Sequence, residues 1–307
     1  MLERVFYLLG RLFKTMFKIV ASKLKKNKVI RRSILSKFFV INPLYLKGII
    51  NPEMHSDFCR DILTLDMASK MTSLSRFKNL NDALLPFIKT KRIISIHDVA
   101  VSNGITSLEL YDFLKKNNIK FSLDISDKYN FYHVYMVSNH IQFFLDEDKN
   151  VSFVIFFGIY FNKSLSNFFF FSKYVTLIFT YLWSIYDYFF AAIKKNITIN
   201  LFYPSVWSLI KSRKISYFRY DVFNSVLKEK YDVVRCMNIL ILKYFSDSQI
   251  RVALHNLKES LRENGLLIIG RTSLDGVNHV SIYKKKKGGM ILVHVLGEGS
   301  ELNSYIG

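Results

Sequence analysis

The alternation of apolar and polar positions changes its rhythm near residue 91. Upstream, Val5, Leu9, Leu12, Met16 and Val20 recur at spacings of three and four, which sets them on one helical face with Arg4, Arg11, Lys14 and Lys18 largely elsewhere. Residues 38–90 read as further helix, broken near Asn42-Pro43 and Asn51-Pro52, with Pro86 close to the end. Downstream, short apolar runs at 93–101, 120–124, 215–220, 231–237 and 266–271 alternate with helical stretches, the pattern of a mostly parallel α/β sheet. The predicted helices include 107–116 and 248–262, the second with Ile250, Leu254, Leu257 and Leu261 on its buried face and Asn264-Gly265 at its end. Two more runs, 280–284 and 290–296, are joined by a Lys and Gly-Gly turn and predict an antiparallel hairpin at one edge.

A long apolar stretch interrupts this order. Residues 151–161, 168–171 and 174–193 are apolar runs, the last carrying only Asp187 as a charge. Roughly twenty apolar residues suffice to cross a bilayer. One crossing, however, would put strands of a single sheet on opposite sides of the membrane; 151–161 is too short for a second helical span, and Asp187 is costly at mid-depth. The expectation is an insertion at about 140–210 that forms a buried or interfacial helix pair. The domains expected are a basic helical region over 1–90 and an α/β domain over 91–307.

Charge adds one element to this picture. The chain carries a net +20, and residues 1–37 hold eleven Lys or Arg against Glu3 alone, so half of the net charge sits there. A basic amphipathic helix of this kind either docks on its own domain or meets an anionic membrane surface. With only Cys59 and Cys236, a disulfide framework and a multi-cysteine zinc module are excluded, and no metal site is expected. A reducing, cytoplasmic setting is expected, with a peripheral position on the inner face of a membrane as its extension.

The segment carrying chemistry is Ile94-Ser-Ile-His-Asp-Val-Ala-Val-Ser-Asn-Gly-Ile-Thr-Ser-Leu-Glu-Leu110: a strand, a turn of small residues and a helix. Such a turn lets backbone come close to a ligand, and the helix start offers unpaired N–H groups. It resembles the Asp-x-Gly-x-Gly-x-Gly motif of class I S-adenosylmethionine-dependent methyltransferases. Asp98 stands in the acidic position and Gly104 as the last glycine, with Ala100, Ser102 and Asn103 in the turn. Asp124, about twenty residues beyond the turn, is placed as the ribose acceptor that closes the second strand, whereas Asp127 reads as a helix cap. Tyr217-Phe-Arg-Tyr-Asp-Val-Phe223 is similar to the family segment that meets adenine, which implies Asp221 and the backbone of Val222. Tyr231-Asp-Val-Val-Arg-Cys-Met-Asn238, then Tyr244-Phe245 and Leu261-Arg-Glu-Asn-Gly-Leu266, is most similar to chemotaxis-receptor glutamate methyltransferases, implying Met237 and Asn238 at the methionine side of the cofactor.

The resemblance implies a Rossmann-like sheet, S-adenosyl-L-methionine as cofactor, and a methyl acceptor that is a small molecule, lipid or protein side chain. Nucleic acid is disfavoured, because Arg235-Cys-Met-Asn238 lacks the Asn/Asp-Pro-Pro-aromatic segment that holds a flipped base. A membrane-associated scaffold with a degenerate methyltransferase fold is the alternative, resting on Ala100 and Ser102. No catalytic residue is assigned: His97, His133 and His255 read as structural, and methyl transfer needs chiefly alignment and exclusion of water.

Overall fold

The computed structural model describes residues 72–89, 92–138, 141–156, 159–162, 196–273 and 275–306, with Pro52, His55, Ser56, Cys59, Ile178, Thr180 and Tyr181. The segment 1–37, the run 168–171 and most of 174–193 lie outside them. Among the described residues no helix is long and apolar enough to cross a membrane. Two compact units emerge: Thr72–Lys128 with Phe202–Gly307, and Met1–Met71 with Tyr129–Leu201. They divide the chain at places other than the expected boundaries, since 72–89 groups with the α/β unit.

The α/β unit contains α1 (Lys78–Ile88), β1 (Ile94–Val99), α2 (Ile105–Lys116) and β2 (Phe121–Asp127) before the second unit intervenes. That second unit supplies β3 (Phe131–Ser138), β4 (Ile141–Leu145), β5 (Val151–Phe156), β6 (Ile159–Asn162) and β7 (Asn196–Asn200). The α/β unit then resumes with α3 (Pro204–Lys211), β8 (Ser216–Arg219), β9 (Tyr231–Met237), α4 (Asp247–Glu259), β10 (Leu261–Thr272), β11 (Asn278–Lys286), β12 (Gly289–Leu296) and α5 (Asn303–Ile306).

Its seven strands run β12-β11-β10-β9-β1-β2-β8. From β8 to β10 all neighbours are parallel, while β11 pairs antiparallel with both β10 and β12. This is the mixed, Rossmann-like sheet expected from the sequence. The chain builds outward from β1 through β2 to β8, then returns to β9 and β10, so the order reverses between β1 and β9. In open α/β sheets that reversal opens the crevice where ligands bind, beyond the carboxyl ends of the strands.

The central strands are buried on both faces, which is why they read as continuous apolar runs. On one face, Ile250, Ala253, Leu254 and Leu257 of α4 pack on Val99, Val234, Cys236, Leu267 and Ile269. A capping box starts that helix: Gln249 N donates to Ser246 Oγ at 3.4 Å, and Ser246 N donates to Gln249 Oε1 at 3.0 Å. Side chains alternate across a strand, so Asp98 points away from its neighbour Val99, to the face where α1 and α2 bury Leu80, Leu84, Ile88, Leu110 and Leu114.

The second unit corrects the expectation of helix for 151–161; the run 168–171 and most of 174–193 lie outside the described residues. The strands β3 to β7 form an antiparallel sheet in the order β6-β5-β4-β3-β7. Phe143, Leu145, Val151 and Val154 form one buried cluster, and Phe144 stacks on Phe153 at 4.3 Å. Asp146 fixes the turn between β4 and β5, its Oδ1 accepting from Asp148 N and Asn150 N, each at 2.9 Å. The run at 151–161 is thus two short strands: a continuous apolar run fits a buried strand as well as a buried helix, and its shortness favours the strand.

Candidate functional site

The turn after β1, Asp221 with Val222, and Met237 with Asn238 meet the carboxyl edge of the parallel strands, whereas Asp124 and the segment Leu261–Leu266 do not. The turn after β1 is the centre. Ala100 and Ser102 both have φ 58° and Gly104 has φ 78°, so three alternate residues are left-handed. This explains how the chain departs from the glycine pattern: the backbone keeps the conformation, and Ala100 and Ser102 bear the roughly 1–2 kcal/mol that a Cβ costs there. Gly104 has a second constraint. A Cβ on it would lie 2.7 Å from Val206 Cγ1 of α3, a branched and stiff neighbour.

Hydrogen bonds hold this turn from several sides. Val101 N donates to Ser126 O at 3.1 Å, Ser102 N to Asp127 Oδ2 at 2.7 Å, and Ile105 N to Asn103 Oδ1 at 3.1 Å. Tyr203 N, just before α3, donates to Asn103 O at 2.9 Å. Residues 101–107 are buried, while Ala100 is half-buried. Ser102 Oγ is buried without a hydrogen-bond partner among the described residues.

Beneath the turn lies a buried ion pair. Arg235 of β9 sits beside Asp98 in register; its Nε donates to Asp98 Oδ1 at 2.8 Å and its Nη2 to Oδ2 at 2.5 Å. Ser107 Oγ donates to the same carboxylate at 2.6 Å. Arg235 also donates to Asn81 Oδ1 at 3.3 Å and Thr106 O at 3.2 Å, and its guanidinium lies 5.3 Å from the Phe77 ring centre. One side chain therefore ties β9, β1 and the first turn of α2 to α1. Asp98 stands where the motif placed it, but its carboxylate is committed to holding the turn.

The second expected acid is displaced. Asp124 does not close β2: the strand continues to Asp127, and Asp124 pairs in register with His97, inside β1. Its Oδ2 accepts from Tyr231 Oη at 2.7 Å and Lys230 Nζ at 3.1 Å, groups at the amino end of β9. The carboxylate at the carboxyl end of β2 is Asp127, on the turn itself. In sequence an Asp after Ser126 resembles a helix cap; here no helix follows, and the chain enters β3.

At the same edge, Asp221 follows β8, its Oδ1 accepting from Phe223 N at 3.0 Å and its Oδ2 from Asn224 Nδ2 at 2.9 Å, with Lys128 Nζ 3.4 Å away. Val222 is buried, and its carbonyl accepts from Asn256 Nδ2 at 2.8 Å. At the end of β9, Met237 is buried, and the next residue, Asn238, has φ 62°, donating its N–H to Gly270 O at 2.9 Å and accepting from Thr272 N at 2.7 Å.

Proton chemistry has little support among the buried groups. His97 is fully buried between Phe218, Tyr231 and Tyr220, with ring centres 5.1, 4.7 and 5.1 Å away, and its Nε2 lies 2.8 Å from Ser126 Oγ. Burial pulls its pKa down to about 4, so it is neutral near pH 7. Burial, then the charge of Asp98, pushes the Cys236 thiol up to about 12, which leaves no thiolate nucleophile. Burial, followed by its hydrogen bond to Asp124, also raises Tyr231 above the usual phenol range.

An adenosyl ligand fits this edge by its chemistry. The turn offers closely approachable backbone at half-buried Ala100 and an orphaned hydroxyl at Ser102, and Asp127 and Asp221 place carboxylates at the ends of the two strands beyond β1. No family model matches the sequence, and no curated protein is similar to it. Among solved structures it is similar to the PH0226 protein of Pyrococcus horikoshii OT3, with 13% identity over 76% of this chain and 77% of that one, TM-score 0.33. The DszA carbon methyltransferase shares 12% over 67% of this chain and 41% of its own, TM-score 0.33. The N-methyltransferase NodS from Bradyrhizobium japonicum WM9, solved with S-adenosyl-L-homocysteine, shares 11% over 64% of this chain and 62% of its own, TM-score 0.30. The chain thus spans less than two thirds of the last two. Likeness at this level carries no weight here; the fold rests on the strand order, and the site on its own residues.

Proposed function

We propose that the chain is an S-adenosylmethionine-dependent methyltransferase. The observation that carries this reading is the left-handed alternation at Ala100, Ser102 and Gly104. It lies directly after the central strand of a sheet ordered β8-β2-β1-β9-β10, with Asp127 and Asp221 on the same edge. In this reading Asp127 takes the ribose hydroxyls in place of Asp124. Asp221 and the Val222 backbone meet adenine, and Met237 and Asn238 border the methionine side. The cofactor supplies an electrophilic methyl group on a good leaving group. The chain's own part is alignment and exclusion of water, which suits an edge without an evident general base.

Calorimetric titration with S-adenosyl-L-homocysteine tests the assignment. Charged hydrogen bonds are worth about 1.5–3 kcal/mol, so Asp127→Ala is expected to weaken binding about 10- to 100-fold. Asp124→Ala should leave it within about twofold, since its partners lie at the opposite end of β9. The reverse ranking would reinstate Asp124 as the ribose acceptor.

For the acceptor, a small molecule, lipid or protein side chain is favoured over nucleic acid. In the segment that would have to grip a flipped base, Arg235 and Cys236 are buried in the sheet. Labelled cofactor supplied to a fractionated lysate should place label outside nucleic acid, and label recovered in RNA or DNA contradicts this choice. One observation favours the scaffold alternative: the turn is buried, and Asp98, Asn103, Asp221 and Asn238 already have partners within the chain. A folded protein that fails to bind S-adenosyl-L-homocysteine would overturn the enzyme reading and favour that alternative.

A further inference from the structure

The strand β12 ends the sheet in an unusual way. Its sequence, Gly-Met-Ile-Leu-Val-His-Val-Leu, is nearly continuous in apolar residues, the pattern of a strand covered on both faces rather than of an edge. Yet among the described residues β12 pairs only with β11. Ile291 is 54% exposed, Leu292 46% and Val295 41%. The register shift between Ile282 and Tyr283 leaves Val293 as an extra residue on β12, so Leu292 and Val295 share the face of Tyr283 and Ser281 while Ile291 lies on the other with Lys284; both faces are open at this edge. Edge strands that stay single are commonly blunted by a charge, a proline or a bulge that twists them away; β12 carries no charged residue and no proline, and its one bulge is the single extra residue Val293.

The charges at the two ends of β12 say what completes the edge. Before it lies the lysine run Lys284 to Lys287, with Lys287 exposed in the turn; after it lies Glu298, whose side chain is 92% exposed. Parallel addition of an identical strand would set lysine beside lysine and glutamate beside glutamate. Antiparallel addition of a second copy, centred on the middle of β12, sets Lys287 opposite Glu298 of the partner subunit, and the same pair forms again across the two-fold axis. Such an interface is isologous and closed, so it ends at a dimer.

The geometry points to β12 as the site of antiparallel self-pairing, which joins the seven-stranded sheets of two copies into one. This does not depend on the proposed activity. The interface is small beside the roughly 800 Å² per partner of stable complexes, so monomer and dimer should exchange at micromolar concentration.

Sedimentation velocity of the full chain across that range is the test. The wild type should pass from monomer to dimer, and Ile291→Lys/Leu292→Lys should remain monomeric with an unchanged circular dichroism spectrum, since both positions are exposed in the single subunit. Lys287→Glu should weaken the dimer about 2- to 30-fold, the factor for two symmetric cross-strand pairs, and Glu298→Lys added to it should restore it. A wild type that stays monomeric overturns the proposal. A dimer that survives Ile291→Lys/Leu292→Lys overturns it as well, and failure of Glu298→Lys to restore pairing overturns the antiparallel register.

Discussion

Replacing Arg235 by methionine is expected to lower the free energy of unfolding by about 3–5 kcal/mol, the cost of leaving a buried carboxylate without its cation. Asp98 would keep only the Ser107 hydroxyl, and the ties from β9 to α1 and α2 would go with the guanidinium. Lysine is no conservative exchange here: it has no planar fork, and it cannot meet both Asp98 oxygens while also reaching Asn81 and Thr106. Because a buried pair is worth little net against an apolar replacement, Arg235→Met/Asp98→Leu should recover much of what Arg235→Met loses. Denaturant unfolding measures both. A loss below about 1 kcal/mol for the single variant would mean that the pair is solvated, against its burial.

The second large effect is on pH dependence. His97 has a folded pKa of about 4, below its ordinary 6.5, because burial disfavours the imidazolium. A depressed folded value means that the unfolded chain takes up the proton first. The contribution of neutral His97 is therefore fully present above pH 6.5, declines as pH falls toward 4, and is exhausted below that. The gap corresponds to about 3 kcal/mol. Carboxylates also destabilise the fold in acid, so the measurement is a difference: stability against pH for the wild type and for His97→Gln. The variant should start lower at pH 7.5 and lose about 3 kcal/mol less between pH 6.5 and 4. Parallel curves would show that His97 protonates within the fold and that its aromatic cage is open to water.

What the sequence disclosed follows from where periodicity carries information. The runs at 93–101 and 231–237 could be read as central strands because burial on both faces leaves little room for polar residues; of the buried polar side chains they do hold, Asp98 and Arg235 neutralise each other and His97 is neutral. The helix of 248–262 was legible from Ile250, Leu254 and Leu257, although the structure ends it at Glu259 and gives Leu261 to a strand. The β3–β7 sheet was not legible as strands, since periodicity cannot separate a short buried strand from a buried helix.

At the site, residue type was informative and position was not. An acid near the end of the second strand was expected, but Asp124 and Asp127 differ by three residues, and only pairing with β1 shows which one reaches the edge. Likewise Ala100 and Ser102 look like departures from a glycine motif, while their φ values show that the backbone conformation survives the exchange. Arg235 appeared only as one letter of a similar segment; its role as the partner of Asp98 depends on the register of β1 with β9.

Whether the edge around Ala100–Gly104 and Asp127 holds an adenosyl ligand is measured most directly by isothermal titration of the wild-type chain with S-adenosyl-L-homocysteine. Saturable binding at one site per chain is expected, with no heat from homocysteine alone. A folded protein that gives no heat with S-adenosyl-L-homocysteine, and no rise in melting temperature with a large excess of it, would show that this edge holds no adenosyl ligand.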